Sequence, residues 1–330
     1  MNQIVRIVLV SLLIILGAIA FSPKNYQQIT DLKGASTQVP VRIVQHAMGK
    51  TQIPVHPQRV VILHGYLWSD AIVVGVKPVG APLQWADKSQ IDFQQSQGVV
   101  DVGFLPTNIE KVLALKPDLI LGTDVVHKDI YPLLSHIAPT VLIDFNAAKD
   151  WKGLLIETAK VLGKTETAQS FMTQYNTRVT EFRATALQRL INTQVSVIGL
   201  GNGEICRLFL REKDSFLGGI FEEIGLLNTV SQEALNALPT RLKGIGTFHY
   251  YISWEHLAEV DGDVIFVASS GPSVSEKYPT ATFKRLQSIP LWFKLKAVQQ
   301  GKAYRVGFHW VGNTPLAANR VLDDLFKYLL

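Results

Sequence analysis

Between Thr165 and Leu190 the chain places Ala168, Phe171, Met172, Tyr175, Val179, Phe182, Ala186 and Leu190, with no proline or glycine among them. Residues three and four apart share one face of an α-helix, so this is an apolar stripe held for about seven turns. At a rise of 1.5 Å per residue the run spans about 39 Å, long for a globular domain. Trp151 to Leu162 reads as a shorter helix, and Gly163 offers a C-cap between the two. Strand–helix alternation lies on either side, enough in each case for a lobe. A helix apolar along a single stripe is expected to act as a rigid spine, with residues 41–149 as the first lobe, 150–191 as the bridge and 192–330 as the second lobe.

A chain of 330 residues can hold about two domains, each with a core. Its hydrophobic fraction of 47% and charged fraction of 18% are those of a globular protein. The net charge of +5 is spread without a run of Lys and Arg, which speaks against a nucleic-acid face. Cys206 is the only cysteine, so no intrachain disulfide and no cysteine metal cluster can form. At the N-terminus, Arg6 precedes the apolar run Ile7 to Ile19, and Ala18-Ile-Ala20 is a small-x-small site. Residues 1–20 therefore read as a secretory signal peptide, with an uncleaved anchor as the alternative. No cysteine follows the run, so lipid attachment there is not expected. Residues 21–40 read as a flexible linker, and the mature protein is expected in the periplasm.

Val41 to Gln45 and Thr51 to Ile53 alternate around Met48-Gly-Lys50 and predict a hairpin. Arg59–Leu63, Pro78–Ala81, Val99–Val102, Asp118–Gly122 and Thr140–Ile143 predict strands, with helices near Leu67–Val74, Thr107–Leu115 and Ile130–Ile137. That alternation implies an α/β fold with a parallel, doubly wound sheet. Beyond the spine, strands at Gln194–Gly199, Ile205–Leu210, Asp263–Ala268 and Ala303–Val306 alternate with helices at Phe216–Ile224, Ser253–Glu259 and Ala317–Leu329. Leu226 to Tyr250 carries no clear period. Asn108 to Ile120 can be laid over Ser253 to Ile265, so that Glu110 meets Glu255, Asp118 meets Asp263 and Ile120 meets Ile265. The order of helix, turn and strand is the same in both, which suggests two similar lobes.

With these pieces in order the chain resembles the ferric-siderophore-binding proteins of ABC importers. The resemblance rests on Gly49-Lys-Thr-Gln-Ile-Pro54, Pro57-Gln-Arg-Val-Val61, Asp70-Ala71, Gly75-Val-Lys-Pro-Val-Gly80, Asn108-Ile-Glu110 and Leu115-Lys-Pro-Asp-Leu-Ile120. It continues through Lys213-Asp-Ser-Phe-Leu-Gly218, Gly225-Leu226, Leu291-Trp292, Gly301-Lys-Ala-Tyr304, Trp310 and Val321-Leu-Asp-Asp-Leu325. It implies two Rossmann-like lobes with parallel sheets joined by a single long α-helix, with the ligand in the cleft between them and little hinge bending. The implied ligand is an iron(III) chelate and the implied partner the membrane permease of an ABC transporter. A monomer with no intrinsic cofactor and no enzymatic activity is expected. The resemblance further implies that one Glu per lobe, Glu110 and Glu255, docks on Arg residues of the permease. Acids near a helix N-terminus also favour the helix itself, and Thr107-x-x-Glu110 has the spacing of a capping box.

In open parallel sheets ligands gather outside the carboxyl ends of the strands. The loops there supply His64, Tyr66 and Trp68, then Gln84 and Trp85, then Thr123, Asp124 and His127, then Phe145 and Asn146. In the second lobe they supply Arg207, Arg211 and Lys213, Ser269 and Ser270, and His309 and Trp310. Aromatic walls with Arg donors suit a bulky anionic chelate whose metal is already wrapped in ligand oxygens. The expected ligand-binding residues are Tyr66, Trp68, Trp85, Arg207, Arg211 and Trp310, with a packing tryptophan or a solvated cation as the alternative at each. Arg207 stands where family members often carry a ligand-contacting Arg, ahead of the Lys213-Asp-Ser-Phe run. His64, His127 and His309 could face one cleft, but no spacing among the eight histidines marks a metal site, and no direct metal ligand is expected. Gly-x-Ser-x-Gly, the phosphate-binding Gly-Lys loop and His-Glu-x-x-His are absent. The pairs Glu222-Glu223 and Asp323-Asp324 are expected on solvent-facing helix surfaces. A cobalamin or haem carrier on the same scaffold, or an exported two-lobed enzyme such as a transferase, are the alternatives.

Overall fold

The computed structural model describes residues 39–83, 93–146, 148, 150–190, 192–200, 205–209, 215–228, 241–244, 247–269 and 283–330. The signal and linker expectations for residues 1–38 lie outside these. The alternation around Gly49 forms an antiparallel hairpin, β1 (Val41–His46) and β2 (Gly49–Pro54). There follow β3 (Val60–Ile62), α1 (Gly65–Val73), β4 (Gly80–Ala81), α2 (Phe93–Ser96), β5 (Val100–Asp101), α3 (Ile109–Ala114), β6 (Leu119–Thr123), α4 (Asp124–His127), α5 (Tyr131–Ile137) and β7 (Thr140–Ile143). These five strands form one parallel sheet in the order β5-β4-β3-β6-β7. Covered on both faces, its central strands are apolar without alternation: Val60 to Leu63 and Leu119 to Leu121 are each buried. The hairpin closes the β7 edge, where Ala47 N–H donates to the Leu142 carbonyl at 3.0 Å and Leu142 N–H donates to His46 Nδ1 at 3.2 Å. An edge covered in this way cannot recruit another strand.

The bridge begins with α6 (Trp151–Leu162), whose N-cap Asp150 accepts from Gly153 N–H at 2.9 Å. Gly163 at φ 68° ends it, a left-handed conformation that glycine adopts without strain. The long helix α7 then runs over Thr165–Leu190. Its stripe serves two cores in succession. Ala168 is buried with Leu154, Leu155 and Leu162 against the first sheet. Tyr175, Val179, Phe182 and Ala186 are buried with the second sheet, and Phe171 and Met172 pack against both cores. Each large apolar side chain taken fully out of water contributes about 1.5–3 kcal/mol, so the stripe ties the helix to both lobes.

The second lobe comprises β8 (Gln194–Leu200), β9 (Ile205–Phe209), α8 (Phe216–Ile224), β10 (Leu227–Asn228), β11 (Arg241–Gly244), β12 (Thr247–Ser253), a 3-10 turn (Trp254–Val260), β13 (Val264–Ser269), α9 (Lys296–Gln299), β14 (Ala303–Val306) and α10 (Pro315–Leu329). Its sheet runs β11-β12-β9-β8-β13-β14, with β10 also on β8. The strands β8, β13 and β14 pair in parallel as expected, and the unexpected β10 pairs in parallel with β8, whereas β8–β9, β9–β12 and β12–β11 are antiparallel. Only four residues separate Leu200 from Ile205, too few for the crossover that a parallel partner needs.

The internal similarity read from the sequence has a structural counterpart. At the start of β6, the Asp118 carboxylate accepts from the Gln58 and Arg59 amides at 2.7 and 2.8 Å, and Asp118 N–H donates to the Arg59 carbonyl at 3.1 Å. At the start of β13, the Asp263 carboxylate accepts from Gln194 N–H at 2.8 Å, and Asp263 N–H donates to the Gln194 carbonyl at 2.9 Å. The same clasp therefore joins β3 to β6 and β8 to β13. Donated hydrogen bonds from Gln194 and Lys296 hold the Asp263 carboxyl below the usual carboxylate range.

The lobes also meet directly, because α10 packs on α1 as well as on α6 and α7. Leu316, near its N-terminus, rests against the first core. Of the carboxylates expected in solvent, Glu223 is partly buried and engaged across this bridge, while Asp323 is exposed as expected and still forms an ion pair. Glu223 pairs with Lys152 and accepts from the Tyr175 hydroxyl at 2.9 Å, and Asp323 pairs with Arg178.

Candidate ligand-binding site

At the carboxyl edge of the first sheet, successive strands deliver aromatic rings to one place. His64 follows β3, Tyr66 begins α1, Phe104 follows β5, His127 ends α4 after β6, and Phe145 follows β7. Around His64, ring centroids lie at 5.0 Å (Tyr66), 5.4 Å (Phe104), 5.8 Å (Phe145) and 6.5 Å (His127). Tyr66 stacks on Phe145 at 6.2 Å, and Phe104 meets His127 edge-on at 6.3 Å. Edge-to-face and offset contacts of this kind contribute about 0.5–1.5 kcal/mol each beyond burial. His127 is wholly buried, while Tyr66, Phe104 and Phe145 keep partial exposure and form a wall open on one side.

Carboxylates at the strand ends hold this wall in shape. Asp101 Oδ1 accepts from Leu83 N–H and Gly103 N–H at 3.0 and 3.1 Å. Gly103 sits at φ 69°, and a Cβ there would stand 2.8 Å from the Pro106 carbonyl, so only glycine makes the turn that presents Phe104. Asp124 Oδ1 accepts from Phe145 N–H at 2.9 Å, which fixes the last of the five rings. Burial lowers the basicity of both imidazoles. His64 is pushed down to about 3, with neighbouring His127 adding to the effect, and His127 is lowered despite backbone hydrogen bonds that favour its charged form. Burial pushes the Tyr66 hydroxyl up.

The expected residues divide. Tyr66 belongs to the ring wall. Trp68 does not: α1 starts at Gly65, earlier than its pattern suggested, and this turns Trp68 onto the buried face beside Leu67 and Ala71, with 0% exposure. Trp310 is likewise fully buried, stacked on Phe266 at 4.3 Å, with its indole N–H donated to Asp324 Oδ2 at 2.8 Å. Neither tryptophan has a face to offer a ligand, and both expectations are corrected to core packing. His309 donates to the same Asp324 oxygen at 2.8 Å, so it is occupied within the second lobe while His64 and His127 lie together in the first. Asp324 was expected in solvent. It is half-buried, and although burial alone would raise its carboxyl, the bonds from His309 and Trp310 bring it below the usual range. No group of three or more His, Cys, Asp or Glu is placed to hold a metal ion among the described residues.

Trp85 and Arg211 lie outside the described residues. Arg207 is described by its backbone alone, on β9 opposite Gly199, which in turn is level with Ala268. That register sets it one residue from the carboxyl ends of β8 and β13. Glu110 and Glu255 are both exposed and both stand in the first turn of their helical segments. The capping box at Thr107 does not form. Asn108 is the N-cap, accepting from Lys111 N–H at 2.9 Å, and the Thr107 hydroxyl donates to the Phe104 carbonyl at 3.2 Å. Phe104 carries little signal in the sequence, because the two-residue β5 before it is too short to mark a strand end clearly. A separate cavity of about 430 Å³ lies under the hairpin, lined in part by His46, Val141, Asp144 and Glu157, and includes none of the five rings.

The family described as periplasmic binding protein matches residues 89–309. The chain belongs to that family. Among its relatives, the probable siderophore-binding lipoprotein YfiY of Bacillus subtilis is 32% identical over 298 residues, covering 88% of each chain. The achromobactin-binding periplasmic protein of Dickeya dadantii is 28% identical, covering 82% of this chain and 86% of its own. Among solved structures, Staphylococcus aureus SirA complexed with staphyloferrin B superposes with a TM-score of 0.69 at 26% identity, covering 87% of this chain and 98% of SirA. This substrate-binding family accounts for the two lobes and the long bridging helix of the present binding protein. Among the described residues no helix is long and apolar enough to cross a membrane.

Proposed function

We propose that this protein captures an iron(III)–siderophore outside the cytoplasm and delivers it to the permease of an ABC transporter. The observation that carries the reading is the convergence of rings at the carboxyl edge of the first sheet, in a family whose named relatives bind such chelates. A chelated iron presents its wrapping ligand to the protein, so flat walls and hydrogen-bond donors suffice and no protein ligand to the metal is required. Tyr66 with Phe104 and Phe145 forms the first-lobe wall, and Arg207, Arg211 and Trp85 complete the site from outside it. The lobes divide at residues 41–149, 150–191 and 192–330. With α7 buried in both cores and α10 braced on α1, the lobes move little on binding and the cleft is largely preformed. The protein acts as an exported monomer, directed by residues 1–20, without a resident cofactor and without turnover of its ligand.

Glu110 and Glu255 are the docking residues for the permease. Their support is positional: each follows the matching place in its lobe, and each side chain is exposed. Titration of the purified protein with ferrichrome, ferric enterobactin and ferric citrate, followed by tryptophan fluorescence, tests the ligand reading. Saturable quenching by at least one chelate is expected, and no response to any of the three would refute it. Cells carrying Glu110→Ala with Glu255→Ala are expected to lose uptake while the protein keeps its affinity; normal uptake would remove the docking role.

A further inference from the structure

His64 is held in a way that decides what it can offer a ligand. It is the N-cap of α1, with extended backbone at φ −127° and ψ 134°, and its Nδ1 accepts from Tyr66 N–H at 3.2 Å. A nitrogen that receives a backbone N–H must present its lone pair, so the neutral ring carries its proton on Nε2. A second proton on Nδ1 would face that same N–H and the positive end of the helix. The ring is 9% exposed and enclosed by Tyr66, Phe104, Phe145 and His127. The result is a fixed, uncharged N–H donor inside an aromatic box.

We propose that His64 is a specificity-determining residue of the ligand site, donating Nε2–H to a carbonyl oxygen of a chelate that is neutral overall, either an amide of its frame or a hydroxamate whose charge the iron(III) cancels. The inference rests on the ligand reading above and adds a chemical class to it. A carboxylate brought into this box would lose its hydration without meeting a cation in the ring group. A neutral carbonyl loses less and is repaid by one hydrogen bond. Charged oxygens of the ligand belong on the second lobe, at the edge where the register sets Arg207.

Two substitutions separate the capping role from the donor role. His64→Asn keeps an acceptor near Nδ1 and a good N-cap, and removes the donor. His64→Gln keeps an N–H near Nε2 and gives up the cap. Ferrichrome, a ferric trihydroxamate, and ferric citrate, a ferric polycarboxylate, serve as probes, with melting temperature measured alongside. His64→Asn is expected to weaken ferrichrome binding about tenfold, a loss of one hydrogen bond's size, with the melting temperature lowered by the lost ring contacts and not by loss of the cap. His64→Gln is expected to bind within about threefold of the wild type with a lowered melting temperature. The proposal is overturned if His64→Asn binds ferrichrome as well as the wild type does, or if His64→Gln is as weak as His64→Asn. It is overturned too if the wild type binds ferric citrate and not ferrichrome, a result that leaves the wider ligand reading standing. Binding of neither probe and of no ferric catecholate would end both.

Discussion

Among the described residues each lobe has one tryptophan at 0% exposure, and the two are treated differently. Trp310 in the second lobe gives its indole N–H to Asp324, which also takes His309. Among the described residues Trp68 Nε1 in the first lobe has no partner, and its neighbours Ser69 Oγ and Asp70 Oδ1 have none either. Asp70 Oδ2 accepts from the Thr158 hydroxyl at 2.9 Å, between α1 and α6. The frame of the lobes is nonetheless repeated, down to the Asp118 and Asp263 clasps. What varies is the polar pairing laid over the frame. Among the described residues three successive residues of α1 carry unpaired buried polar atoms, on the helix that brings Tyr66 into the ring wall and meets α10 of the other lobe. In the second lobe the unpaired atoms, Ser196 Oγ, Trp254 Nε1 and His309 Nδ1, lie on separate elements. Unpaired buried polar groups are costly, and they concentrate on the element nearest the site.

The comparison can be broken at its strongest point, the shared spine. Phe182→Ala on α7 removes a fully buried ring from the second core and is expected to cost about 3–5 kcal/mol in denaturant unfolding. Because Phe171 and Met172 bind α7 to the first core as well, a single transition is expected; two separated transitions would show that the lobes unfold independently. The two tryptophans give a sharper contrast. Trp310→Phe should cost about 1.5–3 kcal/mol more than Trp68→Phe, since only the former strips a hydrogen bond from a carboxylate. Equal losses would mean that the difference in pairing carries no energy.

The clasps should behave alike. Asp118→Ala and Asp263→Ala are each expected to lose about 1–1.5 kcal/mol by thermal or urea unfolding, and a large disparity would break the structural repeat. The smallest effect concerns Asp70. Burial raises its carboxyl well above the ordinary range, against the pull of Thr158. Between the ordinary value and the raised one the folded state binds the extra proton, so stability falls as pH rises through that window. Asp70→Asn is expected to remove that slope and to be more stable than the wild type at pH 7. An unchanged pH profile would show the carboxyl to be ionised when buried.

Much of the frame was legible because it rests on local patterns. The limits of α6, α7 and α8 follow from apolar spacing with Gly163 and Gly225 as stops, and the parallel strands of the first sheet from unbroken apolar runs. The Asp118 and Asp263 correspondence was visible as an alignment of three residues before any clasp was seen. The antiparallel strands β11 and β12 were not legible, because Leu226 to Tyr250 carries no period and strand direction depends on partners far away in the chain. The site was half legible. Loops after strands named His64, Tyr66, His127 and Phe145, but a boundary shift of two residues on α1 sent Trp68 into the core, and Trp310 was claimed by a carboxylate fourteen residues on.

By itself the chain's order of apolar and polar residues determined the helices, the first sheet and the presence of a rod between two lobes, since these depend on a 3.6-residue period and on unbroken apolar runs along the backbone. Only the tertiary structure decided which rings meet, which tryptophans are walls and which are core, and which nitrogen of His64 bears the proton. Those outcomes turn on side chains brought together from the ends of four different strands, and a distance of a few ångströms between residues about eighty positions apart is not written in either one's neighbours.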